Sequence, residues 1–229
     1  MATYYEQRAS GGLVITEATA ISEEGAGWRN APHIRTQEHA NAWKKVVDRV
    51  HDKDGLIYMQ LWHMGRASHS SHHPTTKRVV SSGNLPITGG TMVKNVNSED
   101  VEPEVPHALT IDEIKDTIAD YVNAAKLCKE AGFDGLEIHC ANGYLLDEFL
   151  QSCTNNRSDE YGGSMENRIR IVLEIIDAIV DSGAFPANRL AIRISPNGAF
   201  GAMGSADNFE MFTFVAKTLN TKGLAYLHV

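Results

Sequence analysis

In Glu137-Ile-His139-Cys-Ala-Asn142-Gly-Tyr144 an apolar run ends in three side chains that can exchange protons or hydrogen bonds. His139 and Asn142 can both donate from one strand end, which suits two-point polarisation of a substrate oxygen. Tyr144 can supply a proton from its phenol on the same face. Gly143 lets the backbone turn sharply between them. The plain alternative is a satisfied core histidine followed by an ordinary Asn-Gly turn.

Two further side chains sit where an apolar strand should have none. Gln60, inside Leu56-Ile-Tyr-Met-Gln-Leu-Trp62, needs a partner, because an unsatisfied buried amide costs about 1–3 kcal/mol. Neighbouring backbone is one candidate and a ligand the other. Arg193, inside Ala191-Ile-Arg-Ile-Ser195, is the stronger anomaly, since an unpaired buried cation is very costly. Glu137 or Glu17 is its structural candidate; an electron-rich ligand is the functional one.

Other motifs weigh less. His63, His69, His72 and His73 cluster in one segment, but lack the Cys or carboxylate at ligand spacing that a metal site needs, so no metal is expected. Tyr161-Gly-Gly-Ser164 reads as a turn and a helix N-cap before it reads as a phosphate cradle. Asn156-Arg-Ser158 matches a glycosylation sequon, taken as coincidence. No Gly-Xaa-Gly-Xaa-Xaa-Gly, Walker or Gly-Xaa-Ser-Xaa-Gly motif occurs.

These residues must be positioned by strands and helices that alternate. Short apolar runs at Leu13–Ala18, Leu56–Trp62, Gly135–His139, Leu190–Ser195 and Leu224–Val229 read as strands covered on both faces. Between them lie amphipathic helices. One follows Thr36 and buries Trp43, Val46, Val47 and Val50. Another starts at the capping box Thr110-Ile-Asp-Glu113, buries Ile114, Ile118, Val122 and Ala125, and ends near Gly132. A third, capped by Ser164, carries Ile169, Val172, Leu173, Ile176, Ile179 and Val180. A fourth places Asp207 and Glu210 in the box positions and carries Phe209, Phe212 and Leu219. This alternation predicts an α/β fold with a parallel sheet, whose active sites lie at the strand ends. From Gly65 to Leu109 the pattern lapses, which predicts a lid, a binding loop or a small hairpin cap.

Composition narrows the classes. The 229 residues carry 21 basic and 29 acidic side chains, a formal net charge of −8, which argues against nucleic acid. Three cysteines without a CxxC pair encode neither a disulfide scaffold nor a zinc ribbon, and reduced thiols fit a cytoplasmic protein. No apolar run approaches the ~20 residues of a membrane span, and Met1-Ala-Thr-Tyr-Tyr-Glu-Gln-Arg lacks the order of a signal peptide. A (β/α)8 barrel usually needs ~250 residues, so the length falls slightly short.

Glu137-Ile-His-Cys-Ala-Asn-Gly-Tyr-Leu-Leu-Asp-Glu-Phe-Leu150, followed by Asn156-Arg-Ser-Asp-Glu-Tyr-Gly-Gly-Ser-Met-Glu-Asn-Arg168, resembles the Old Yellow Enzyme family, most closely its 12-oxophytodienoate reductase-like branch. Tyr4-Tyr-Glu-Gln-Arg-Ala-Ser-Gly-Gly-Leu-Val-Ile-Thr-Glu-Ala18, Ala42-Trp-Lys-Lys-Val-Val47 and Gln60-Leu-Trp-His-Met-Gly-Arg66 match it too. The resemblance covers essentially the whole chain. It implies a TIM (β/α)8 barrel with non-covalent FMN, which reduces the C=C bond of α,β-unsaturated carbonyl compounds at the expense of NAD(P)H. His139 and Asn142 would bind the enone oxygen, Tyr144 would protonate the α-carbon, and hydride would come from the reduced flavin. Gln60 would meet the flavin pyrimidine edge, Arg193 the N1 and C2-oxygen region, and Ala18 the ring through its backbone.

The same resemblance implies a truncated barrel. Strands 2–6 are expected, while strands 1, 7 and 8, with the turns that hold the FMN phosphate, are expected to be missing. Residues 1–229 would form one partial domain with a cap insertion at about 65–109. This chain alone would then bind FMN weakly or not at all. Two other readings stand beside the reductase: an inactive fragment that depends on a partner chain, and a metal-dependent barrel hydrolase using His63 and His139.

Overall fold

A computed structural model describes residues 1–229. The chain opens with α1 (Ala2–Glu6), then β1 (Leu13–Ile15), β2 (Thr19–Ala20), α2 (Gln37–His51) and β3 (Leu56–Trp62). Next come four two-residue strands, β4 (Val80–Ser81), β5 (Val93–Lys94), β6 (Asp100–Val101) and β7 (His107–Ala108). The second half runs α3 (Ile111–Ala131), β8 (Gly135–His139), α4 (Leu145–Leu150), α5 (Met165–Asp181), β9 (Leu190–Arg193), α6 (Asn208–Leu219) and β10 (Tyr226–His228). Six strands form one sheet in the order β1-β3-β8-β9-β10, with β2 also on β3, and every pair in it is parallel. Parallel neighbours joined through helices are what the alternation predicts.

Helix ends follow local chemistry. Thr36 caps α2 by accepting from His39 N, and Trp43, Val46, Val47 and Val50 are buried as the spacing requires. At α3 the full capping box forms between Thr110 and Glu113, and Gly132 ends the helix in the left-handed region at φ 92°. Along α3 the buried face is centred on Ile114, Tyr121, Ala124, Ala125 and Cys128, whereas Ile118 and Val122 are only partly buried. Ser164 caps α5, which buries Ile169, Val172, Ile176 and Ile179 and half-covers Leu173 and Val180.

Three sequence expectations are corrected. First, Leu13–Ala18 is not one strand ending at Ala18. Ile15 pairs with Tyr58 and Thr19 with Leu61, so the first strand spends one residue more than its neighbour over the same stretch. This is a bulge at Thr16–Ala18, pinned where the Thr16 hydroxyl accepts from Gln60 N at 2.9 Å and the Tyr5 hydroxyl accepts from Glu17 N at 2.9 Å. Second, Asp207 precedes α6 without capping it; its carboxylate instead accepts from Ser152 and Arg168. Phe209 is 81% exposed, because the buried face of α6 is Met211, Phe212, Val215 and Leu219. Third, the central strands are covered on both faces, but the near-continuous apolar run hides a face that is polar. Ile57, Met59, Leu61, Leu136, Ile138, Leu190 and Ile192 enter the core beneath the helices. The alternate positions carry Gln60, Trp62, Glu137, His139 and Arg193 on the other face.

The segment from Gly65 to Leu109 is a fastened cap containing a hairpin rather than a free lid. β5 and β6 pair antiparallel, and β4 lies parallel to β7. Arg66, only 2% exposed, donates to the carbonyls of Leu85 and Gly201, each at 2.7 Å. Glu148, fully buried in α4, accepts from Arg66 N at 2.9 Å and from the Ser81 hydroxyl at 2.7 Å. Gly65 is required there, since its φ is 58° and a Cβ would lie 2.3 Å from the Glu148 carboxylate.

Candidate active site

Because the strands are parallel, their carboxyl ends share one edge of the sheet, and a cleft of about 490 Å³ opens there. Its wall includes Ala18 and the rest of the bulge, Gln60 and Trp62 from β3, His139 from β8, Asn142 and Tyr144 just after it, Arg193 from β9 and His228 from β10. All six residues singled out in the sequence therefore converge. A hollow of about 480 Å³ beside α6 is as large, but its only charged side chain is Lys217.

Backbone register makes the convergence. His139, Arg193 and His228 are aligned across β8, β9 and β10, and Gln60 is aligned with Glu137 one step earlier. After His139 the chain turns through two left-handed residues, Asn142 at φ 58° and Gly143 at φ 74°. A Cβ on Gly143 would approach the Phe200 carbonyl oxygen to 2.8 Å. The turn returns Tyr144 over the cleft, with its ring centroid 5.2 Å from both His139 and Trp62.

Electrostatics assign protonation states. Burial, helped by the Arg193 cation, lowers the His139 pKa to about 3, so the ring is neutral and offers one N–H. Its Nδ1 is buried without a protein partner. Burial also raises the Tyr144 phenol, against the pull of Trp28 and Arg193, so it keeps its proton at neutral pH. A neutral donor beside a protonated phenol can stabilise developing negative charge on oxygen and deliver a proton nearby.

Gln60 and Arg193 part company with their structural explanations. The Gln60 amide donates to the fully buried Glu137 at 2.6 Å, which leaves its carbonyl oxygen for a donor in the cleft. Glu137 also receives His228 Nδ1 at 3.0 Å. Neither Glu137 nor Glu17 pairs with Arg193, whose guanidinium makes no ion pair or hydrogen bond within the chain. A partly buried, unpaired cation opening into a cleft is built for an anionic or electron-rich ligand. The donors and acceptors here, Arg193 and the Gln60 carbonyl, suit the pyrimidine edge of a flavin.

His63 is not brought to His139. It is buried, its Nδ1 accepts from Gly65 N at 3.1 Å, and it does not line the cleft. The neighbouring histidines are spent on backbone carbonyls, His73 on those of Ala26 and Arg78, and His72 on that of Lys94. Trp28, Trp62, Phe200 and His228 join the site without a signal in the sequence. Trp28 and Phe200 lie in turn-rich segments with no periodicity to place them, and only the fold brings Phe200 to 6.3 Å from Tyr144.

Residues 1–229 match the NADH:flavin oxidoreductase / NADH oxidase family from end to end. The chain belongs to that family. Among curated relatives, it is 42% identical over 230 residues to the putative 12-oxophytodienoate reductase 5 of Oryza sativa subsp. japonica, covering 100% of this chain and 59% of the relative. It is 38% identical to 12-oxophytodienoate reductase 2 of Arabidopsis thaliana, covering 99% of this chain and 60% of the relative. The chain thus spans less than two thirds of those relatives. Among solved structures, an Old Yellow Enzyme homologue from Zymomonas mobilis superposes with a TM-score of 0.92 at 40% identity, covering 99% of this chain and 62% of that one. Morphinone reductase in complex with tetrahydroNAD gives 0.93 at 40% identity, covering 99% and 63%. For a flavin oxidoreductase of this kind, the parallel sheet with its cleft at the carboxyl edge is a half-barrel of α/β type.

Proposed function

We propose that this chain carries the substrate half of an FMN-dependent NAD(P)H oxidoreductase that reduces the C=C bond of α,β-unsaturated carbonyl compounds. The observation that supports this most is one cleft holding a neutral His139, Asn142, a protonated Tyr144 and the unpaired Arg193. We read the five positions across the sheet as strands 2–6 of a (β/α)8 barrel, and residues 1–229 as one partial domain with the cap at 65–109 inserted after the second of them.

Bound FMN would supply hydride taken from NAD(P)H. Gln60 and Arg193 would hold its pyrimidine edge, and the backbone at Ala18 would flank the ring. His139 and Asn142 hold the enone oxygen and stabilise the charge that builds there; a preorganised donor of this kind is worth about 2.7–4 kcal/mol. Tyr144 delivers the proton to the α-carbon. Trp28 and Trp62 wall the cleft, Phe200 backs the Tyr144 ring at 6.3 Å, and together they limit water around that transfer. Nicotinamide and enone would use the same cleft in turn, giving ping-pong kinetics.

In stopped-flow work on the flavin-loaded protein, Tyr144→Phe should slow flavin reoxidation by cyclohex-2-enone about a hundredfold, the low end of about 10²–10⁴ for general-acid catalysis, with flavin reduction by NAD(P)H nearly unchanged. Equal loss in both half-reactions would remove Tyr144 as the proton donor.

A further inference from the structure

The anchor residue Asn142 sits in a turn of two consecutive left-handed residues, Asn142 and Gly143, a conformation that Asn-Gly favours locally. Where that turn lies relative to the sheet is fixed from outside it. Two side chains from separate elements fix it. Ser195, two residues past β9, accepts from Asn142 N at 2.6 Å. Asp147, in the first turn of α4, accepts from Gly143 N at 2.9 Å and from the Gln151 amide at 2.9 Å.

Asp147 is fully buried, does not line the cleft and has no cationic partner. Burial pushes its carboxyl up to about 6, against the pull of Gln151, Gly143 N and the Ser195 hydroxyl. A carboxylate is an expensive way to cap a six-residue helix whose N-cap, Tyr144, makes no side-chain cap bond. The Gln151 carbonyl oxygen then accepts from Gly204 N at 2.9 Å, which ties the same group to the segment bearing Phe200.

We propose that Asp147 and Ser195 are positioning residues for the substrate-carbonyl anchor: from two elements they fix the Asn142–Gly143 turn, and with it the placement of the Asn142 amide beside His139 and the return of Tyr144 over the cleft. This rests on reading the cleft as an enone site.

The test measures Kd for cyclohex-2-enone, an uncharged probe, from the flavin difference spectrum of the loaded, oxidised protein, alongside the FMN Kd. Ser195→Ala and Asp147→Asn should each weaken enone binding about tenfold or more while FMN affinity stays within about twofold, as loss of a preorganised anchor requires. Ser195→Thr, which keeps the hydroxyl, should bind as the parent does. In the flavin-free chain, Ser195→Ala should speed hydrogen exchange selectively at the Asn142 amide. Parent-like enone affinity in Ser195→Ala, a parallel loss of FMN affinity, or uniformly faster exchange would each overturn the proposal. If Asp147→Asn does not fold, Ser195→Ala decides alone. His139→Ala separates the two levels. If it weakens enone binding while Ser195→Ala does not, only the positioning role fails; if it too changes nothing, the enone reading fails and the proposal with it.

Discussion

At the scale of single residues, the cleft is defined by what its side chains leave unsatisfied. Arg193 has no counter-charge, His139 Nδ1 has no partner, and the Gln60 carbonyl is free because its amide is spent on Glu137. The Arg193 cation bears on any two-electron reduced flavin, since it stabilises negative charge at the pyrimidine edge. A charge-assisted hydrogen bond of about 1.5–3 kcal/mol corresponds to roughly 30–65 mV for a two-electron couple. Arg193→Met should therefore lower the flavin potential by about that amount in dye-equilibration titrations. An unchanged potential would place the guanidinium away from the flavin.

At the scale of elements, α4 does more than follow the active-site turn. Its neighbouring carboxyls face two tasks: Asp147 holds the Asn142–Gly143 turn, and Glu148 fastens the cap by accepting from Arg66 N and Ser81. Burial raises the Glu148 carboxyl from 4.5 to about 8, against the nearby Arg66 charge and the Ser81 bond. The folded chain then keeps a proton that the unfolded chain has released above about pH 4.5, so this group makes stability fall as pH rises toward 8. The slope is at most about 1.4 kcal/mol per pH unit. Glu148→Gln is isosteric with the protonated form and should flatten the decline in urea midpoint between pH 6.5 and 8. A slope identical in the variant would show that Glu148 is already ionised across that range.

At the scale of the whole molecule, opposing buried groups shape the pH dependence. His33 is lowered to about 4, and His63 and His139 to about 3, in each case chiefly by burial. The unfolded chain binds protons at these sites below about pH 6.5 that the folded chain refuses, so stability is lost as pH falls. Glu113, lowered to about 2 by its bonds to Thr110, His107 and Arg78, adds to the loss below about pH 4.5. Asp120 and Asp147, both raised to about 6 by burial, act with Glu148 in the opposite sense. The two sets nearly cancel around pH 5–6.5, so stability should peak in the mildly acidic range and fall most steeply below about pH 4.5. Urea midpoints across pH 3.5–8 check this; a monotonic climb to pH 8 would contradict it.

What depends on near neighbours was legible in the linear chain. Thr36, Thr110, Ser164 and Gly132 set helix ends because caps act within one turn, and the spacing of Trp43, Val46, Val47 and Val50 set a buried face because a helix has a fixed period. His139, Asn142 and Tyr144 were legible as a set because one strand end carries them, and the family motifs around them are contiguous. What depends on register and on distant partners emerged with the folded sheet. The bulge at Thr16–Ala18 exists relative to β3, the isolation of Arg193 depends on Glu137 being occupied by Gln60 and His228, and Phe209 is exposed because nothing packs on that side of α6. The hold of Ser195 and Asp147 on the Asn142 turn is of the same kind. It joins the end of one strand to the first turn of a helix near another, and a linear sequence does not specify that distance until the sheet has formed.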